Sequence, residues 1–107
     1  MKKMTAEMIS RVAARFRVLG DETRIRILLR LREGEANVST LAAELEIGQA
    51  SMSKHLALLR DEGLLELRRE GNQAFYAIKD RALFELCALV CDGVRRHADE
   101  RHRALLN

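Results

Sequence analysis

The sequence predicts a mainly α-helical fold carrying one β-hairpin, and three observations predict it. The 107 residues contain no proline and six glycines, so helices can run without interruption. Apolar side chains recur at helical spacing over most of the chain. One stretch, from Leu65 to Ala77, switches to the alternation of half-buried strands around a glycine turn.

Thr5 can cap a first helix, with Met8, Ile9, Val12, Phe16 and Leu19 as its apolar stripe and Gly20 as its end. Asp21 caps a second helix, with Ile25, Leu28, Leu29 and Leu31 on its apolar face and Gly34 beyond its end. The Asp21 carboxylate suits the free N–H groups of that first turn, and Arg24 is close enough in sequence for a local ion pair. Ser39 starts a short third helix through Leu41, Ala42 and Leu45, and Ile47-Gly48 makes a turn. A fourth helix runs from about Gln49 to Glu62, with Met52, Leu56 and Leu59 inward, and Gly63 stops it. Leu65, Leu67, Phe75 and Ala77 alternate with polar neighbours, and Arg69 to Gln73 form the turn between two strands. Asp80 caps a last helix that reaches almost to the C-terminus. Two short helices joined by a tight turn make a helix-turn-helix. A hairpin directly after it stands where a wing belongs. The expected architecture is a winged helix-turn-helix in one domain spanning residues 1–107.

Apolar residues make up 48% and charged residues 33%, enough for a core and too much hydrophobicity for disorder. So short a chain leaves no room for a second core and is marginally stable alone, which favours oligomerisation. No run of 18 apolar residues exists, so no membrane partner is expected. The start Met1-Lys2-Lys3-Met4 is basic, but Glu7, Arg11, Arg15 and Arg17 break the apolar stretch that a signal peptide needs. Two cysteines are too few for a disulfide framework, and a cytoplasmic location is expected. The net charge of +3 is uneven. Residues 1–32 hold nine Lys/Arg against three Asp/Glu, and the rest hold ten against thirteen. That asymmetry suits an anionic partner or a set of solvated helix faces. An enzyme is not expected. There is no Gly-rich phosphate loop and no His-Glu-x-x-His, and His55, His97 and His102 form no catalytic set by spacing.

The start of the second helix of a helix-turn-helix meets base edges in the major groove. Here that stretch is Gln49, Ala50, Ser51, Met52, Ser53, Lys54 and His55, and no carboxylate follows until Asp61. Gln49 suits adenine, Ala50 allows close approach to a thymine methyl, and Ser51 and Ser53 reach bases or phosphates. Lys54 is expected to contact phosphate, and His55 to have a DNA or a structural role. Arg68 and Arg69 approach the hairpin tip, where an arginine enters a minor groove or clamps phosphates. The plain alternatives are a good helix N-terminus and a solvated turn.

These residues resemble the ArsR/SmtB family of dimeric winged helix-turn-helix repressors over nearly the whole chain. Residues 19–28 (LGDETRIRIL) resemble its entry to the second helix, 47–65 its recognition helix, and 68–76 (RREGNQAFY) its wing. The resemblance implies a homodimer through the first and last helices, bound to double-stranded operator DNA as an inverted repeat. The sequence agrees, since Leu83, Leu86, Cys87, Val90, Cys91 and Val94 put an apolar stripe on the last helix.

The resemblance also implies release of DNA when a metal, a metalloid, or a reactive sulfur species or oxidant reaches a sensing site. One family site uses cysteines at the third helix, where this chain has Glu35 to Thr40 and no cysteine. Another pairs early last-helix ligands with a His-x-x-Glu. His97 and Glu100 supply the latter, but Phe84 and Leu86 stand where the former belong. The remaining candidates are Cys87 and Cys91, one helical turn apart on one face. Thiolates suit thiophilic ions and equally undergo sulfur and redox chemistry. Buried cysteine also serves simply as a small hydrophobe. The leading expectation is an operator-binding repressor with a thiol-based inducer response and a thiophilic ion as its only candidate cofactor. The alternatives are a DNA-binding regulator without a sensor site and a helical protein–protein interaction dimer.

Overall fold

The computed structural model describes residues 3–106; Met1 and Lys2 of the basic start lie outside them. The expected helices form. Thr5 caps α1 (Ala6–Leu19) by accepting the Met8 N–H, and Gly20 closes it. Asp21 caps α2 (Glu22–Leu31). After Gly34 come β1 (Ala36–Asn37) and α3 (Val38–Leu45), then α4 (Gln49–Asp61). The strands β2 (Leu65–Glu70) and β3 (Gln73–Ile78) precede α5 (Leu83–Leu106). The sheet is antiparallel in the order β1-β3-β2.

Four details differ from the sequence reading, each for a local reason. The core face of α2 is Ile27, Leu28 and Leu31, whereas Ile25 and Leu29 are exposed. This helix is apolar around half its circumference, so a stripe counted from Ile25 lands one step to the side. The third helix starts at Val38, because Asn37 rather than Ser39 accepts the Thr40 N–H. Asn37 also belongs to β1, a two-residue strand too short to leave a periodic signal. The hairpin turn is tighter than the span from Arg69 to Gln73. Arg69 and Glu70 pair with Ala74 and Gln73, which leaves Gly71 and Asn72 as the loop, with Gly71 at φ 59°.

The core is one cluster under the helix-turn-helix. Ile27, Leu28, Leu31, Leu41, Met52, Leu56 and Leu59 join Leu64, Leu65, Ile78 and Leu83. This packing fixes α4 on its inner side and leaves its outer side free. Between α3 and α4 the chain reverses at Glu46, which holds a left-handed conformation (φ 56°, ψ 49°). The Ile47 N–H then bonds back to the Ala42 carbonyl at 3.0 Å, satisfying the end of α3 in the Schellman manner. The turn therefore depends on Glu46, while Gly48 serves as the cap of α4.

The terminal helices pack differently. No residue of α1 is buried, and α5 buries only Leu83. Met8, Ile9, Phe16, Leu89, Val90 and Val94 are all about half exposed or more.

Candidate nucleic-acid interface

The recognition helix is sided. Met52, Leu56 and Leu59 are fully buried, while Gln49, Ala50, Ser51, Ser53 and Lys54 are exposed. No side chain caps α4, which leaves the N–H groups of its first turn without a side-chain acceptor, the arrangement that receives phosphate at a helix N-terminus. The Gln49 amide donates to the Ser39 hydroxyl at 3.3 Å, which holds the first residue of α4 against α3.

His55 is placed differently. Its ring is half-buried, and Nδ1 lies 3.4 Å from an Arg24 guanidinium nitrogen. The Arg24 Nε donates to the Val18 carbonyl at 2.6 Å. His55 therefore faces the α1–α2 corner, and Arg24 joins that corner to the recognition helix. The Asp21 carboxylate accepts the Arg24 backbone N–H at 3.0 Å. The expected local contact between these two residues is thus a cap, and the guanidinium is used elsewhere. A second tie is Arg15, whose guanidinium donates to the Glu62 carbonyl at 2.7 Å and lies 3.3 Å from its carboxylate. The middle and the C-terminal end of α4 are therefore tied to the α1–α2 unit.

The wing carries two arginines on opposite faces of β2. Arg69 is exposed, and among the described residues no hydrogen bond or ion pair engages its guanidinium. Arg68 is engaged three ways. It donates to Glu35 at 2.6 Å and 3.2 Å and to Glu70 at 2.7 Å, and its guanidinium sits 4.7 Å from the centre of the Phe75 ring. Asn37 makes a further link, donating to the Gln73 amide oxygen at 2.9 Å. Glu35, Asn37, Gln73 and Phe75 were invisible as a group in the sequence. Only the β1–β3 register brings them together, and β1 has no sequence signal.

Two carboxylates in this region are held below their usual range. Asp21 is lowered first by the hydrogen bond from the Arg24 backbone N–H, and Glu35 by the hydrogen bond from the Arg68 guanidinium. The folded state thus binds fewer protons than the unfolded chain near and below their ordinary values. Their stabilisation is complete above about pH 5 and is lost as pH falls through the lowered values. We expect Asp21→Asn with Glu35→Gln to flatten the acid limb of a urea-midpoint-against-pH curve. An unchanged limb would remove both groups from the acid response.

Cys87 and Cys91 lie on one side of α5, Cys87 half-buried against the core and Cys91 exposed. Both line an almost wholly apolar groove of about 380 Å³ with Phe16, Leu19, Ile25 and Val90. Ile25, outside the core, has its place here. His97 and Glu100 are exposed farther along α5. Among the described residues of one chain, no three His, Cys, Asp or Glu side chains come together as a metal site. A thiophilic ion that takes three or more ligands would need donors beyond the two thiols.

No helix among the described residues is long and apolar enough to cross a membrane. The family model for bacterial regulatory proteins of the arsR family matches residues 21–66, from the Asp21 cap into β2. The arsenical resistance operon repressor of Escherichia coli K12 is 45% identical over 92 residues, covering 85% of this chain and 78% of that protein. The HTH-type transcriptional regulator CmtR of Mycobacterium tuberculosis H37Rv is 41% identical over 92 residues, covering 81% and 78%. A solution structure from Mycobacterium bovis superposes with a TM-score of 0.77 at 30% identity, covering 91% of this chain and 93% of that one. It is described as a homodimeric winged helix-turn-helix DNA-binding domain of a possible ArsR-family regulator. The helix-turn-helix, the wing and these relatives agree: the chain belongs to the arsR family of bacterial regulatory proteins, and is a DNA-binding transcriptional regulator rather than an enzyme.

Proposed function

We propose that the protein is a homodimeric repressor that binds an inverted-repeat operator and is released by a thiophilic inducer acting at Cys87 and Cys91. The observation that carries the DNA reading is the sidedness of α4. Its inner residues are sealed in the core, and its outer face from Gln49 to Lys54 is polar, exposed and free of carboxylates. Gln49, Ala50, Ser51 and Ser53 read bases or their backbone, Lys54 meets phosphate, and Arg69 does so from the wing. The dimer reading rests on the unburied apolar stripes of α1 and α5 and on the homodimeric Mycobacterium bovis relative. The inducer reading rests on the paired thiols in the α1–α5 groove and on the relative named for arsenical resistance. A regulator without a sensor is the second reading, favoured by the packing of Cys87 against the core.

Two substitutions test the DNA surface by different readouts. Arg69→Ala is expected to weaken binding to every sequence and to reduce the salt slope by about 0.9, the value of one lost phosphate contact. Gln49→Ala is expected to reduce discrimination between operator and random DNA by about 1–3 kcal/mol. Binding titrations on the chain's own upstream promoter and on random DNA, each over a salt series, check both. Equal losses on the two DNAs for Gln49→Ala would remove that residue from base reading.

A further inference from the structure

Of the two wing arginines, only one is free to meet DNA, and the other has a visible task within the protein. The register places Arg68 opposite Phe75 on the sheet face away from the core, since Leu65, Tyr76 and Ile78 occupy the other face. From β2 the Arg68 side chain passes over the Phe75 ring on β3. It ends on Glu35, immediately before β1. One side chain thus spans all three strands. Its Nη1 donates to Glu70, next to the hairpin loop.

We propose that Arg68 is a positioning residue, a clamp that fixes the angle of the wing against the helix-turn-helix through Glu35, Glu70 and Phe75 and does not itself contact DNA. Three features support this. Both carboxylates facing the guanidinium compete directly with any phosphate, and the fork to Glu35 is the two-pronged geometry that arginine and carboxylate favour. The anchor is well placed, because Glu35 adjoins Asn37, which caps α3 and also holds Gln73 across the wing. The clamp therefore refers the wing to the helix that packs beneath α4. Finally, Arg68 and Glu35 are each nearly half exposed, so their pairing adds little to global stability. What it changes is pre-organisation: a wing already at its binding angle need not be ordered when DNA arrives.

The proposal rests on the reading that the wing meets DNA, and the two can fail separately. The experiment measures operator affinity over a salt series for the full-length protein and for Arg69→Ala, Arg68→Ala, Glu35→Gln and the Arg68→Ala/Glu35→Gln pair. Circular dichroism confirms folding, and Glu35→Gln is the conservative variant should Arg68→Ala fold poorly. The clamp predicts losses of about 3–10-fold for Arg68→Ala and for Glu35→Gln. It also predicts an unchanged salt slope for both and a pair no weaker than the worse single variant. If Arg68 instead contacts phosphate, Arg68→Ala lowers the slope by about 0.9. In that case Glu35→Gln tightens binding, because a carboxylate beside the phosphate has been removed. That result overturns the clamp while leaving the DNA reading intact. A slope unmoved by Arg69→Ala would show that the wing does not reach phosphate, and both readings would fall.

Discussion

Val90→Asp combined with Val94→Asp is expected to turn the protein into a folded monomer and to cost operator affinity at least about 100-fold. Both side chains are more than half exposed in the single chain, so the substitutions leave the core cluster untouched. They lie one helical turn apart on the α5 stripe. In a dimer built through that stripe, each protomer would bury two carboxylates against an apolar face, which is prohibitive for unpaired charges. The DNA loss follows from geometry. A dimer places two recognition helices in successive major grooves, and the second contact comes at high effective concentration once the first has formed. A monomer has one α4 and one wing and forfeits that gain. Sedimentation equilibrium at micromolar concentration and far-ultraviolet circular dichroism check the two halves of the expectation. A variant that stays dimeric would show that the interface lies elsewhere. A parent that is itself a stable monomer would remove the dimer from the account.

The second large effect concerns the thiols. Cys87→Ser and Cys91→Ser are expected to bind the operator with near-parent affinity but to resist release by arsenite or another thiophilic agent that releases the parent 5–150-fold, about 1–3 kcal/mol of coupling. The basis is the position of the groove. Its walls are α1, the start of α2 and α5, and the same α1–α2 unit holds α4 through Arg15 to Glu62 and through Arg24 to His55. An agent loaded on the thiols would push α5 against that unit and reset the angle of the recognition helices. It acts as an inducer only if it binds the DNA-free geometry more tightly than the DNA-bound one. The contrasting outcome is a double Ser variant that folds, binds DNA and is still released by each agent active on the parent. That result favours the regulator without a thiol sensor.

Much of this was legible in the chain, and the illegible part has a common cause. The caps Thr5 and Asp21, the turn near Gly48, the buried Met52, Leu56 and Leu59, and the presence of the hairpin follow from local periodicity and capping chemistry. These signals lie within a few residues of the positions they determine. The phase of β3 does not follow from them: Tyr76 and Ile78 pair with Leu67 and Leu65 on the core side, while Phe75 and Ala77 share the outer face with Arg68. The tasks of Arg68 and His55 do not follow either. Each is decided by a partner 31 or 33 residues away in sequence, and in the Arg68 case through a two-residue strand without a periodic signature. Sequence spacing marked both as basic residues beside DNA, and only tertiary contacts show their guanidinium or imidazole turned to protein groups. The α2 face was misphased for a related reason: a helix touching both the core and the α1–α5 groove has apolar residues on two adjacent stripes.

The central claim is that two copies of α4 and the wing dock on DNA in successive major grooves, and a hydroxyl-radical footprint of the parent on its own promoter tests it most directly. The account predicts two protected tracts related by a two-fold axis, with centres one helical turn, about 10–10.5 bp, or a whole multiple of it apart. Gln49→Ala would weaken the preference for that site, and the Val90→Asp/Val94→Asp protein would leave no footprint at the same concentration. A single unsymmetrical tract, or protection that the Gln49 and Arg69 substitutions leave unaltered, would contradict it.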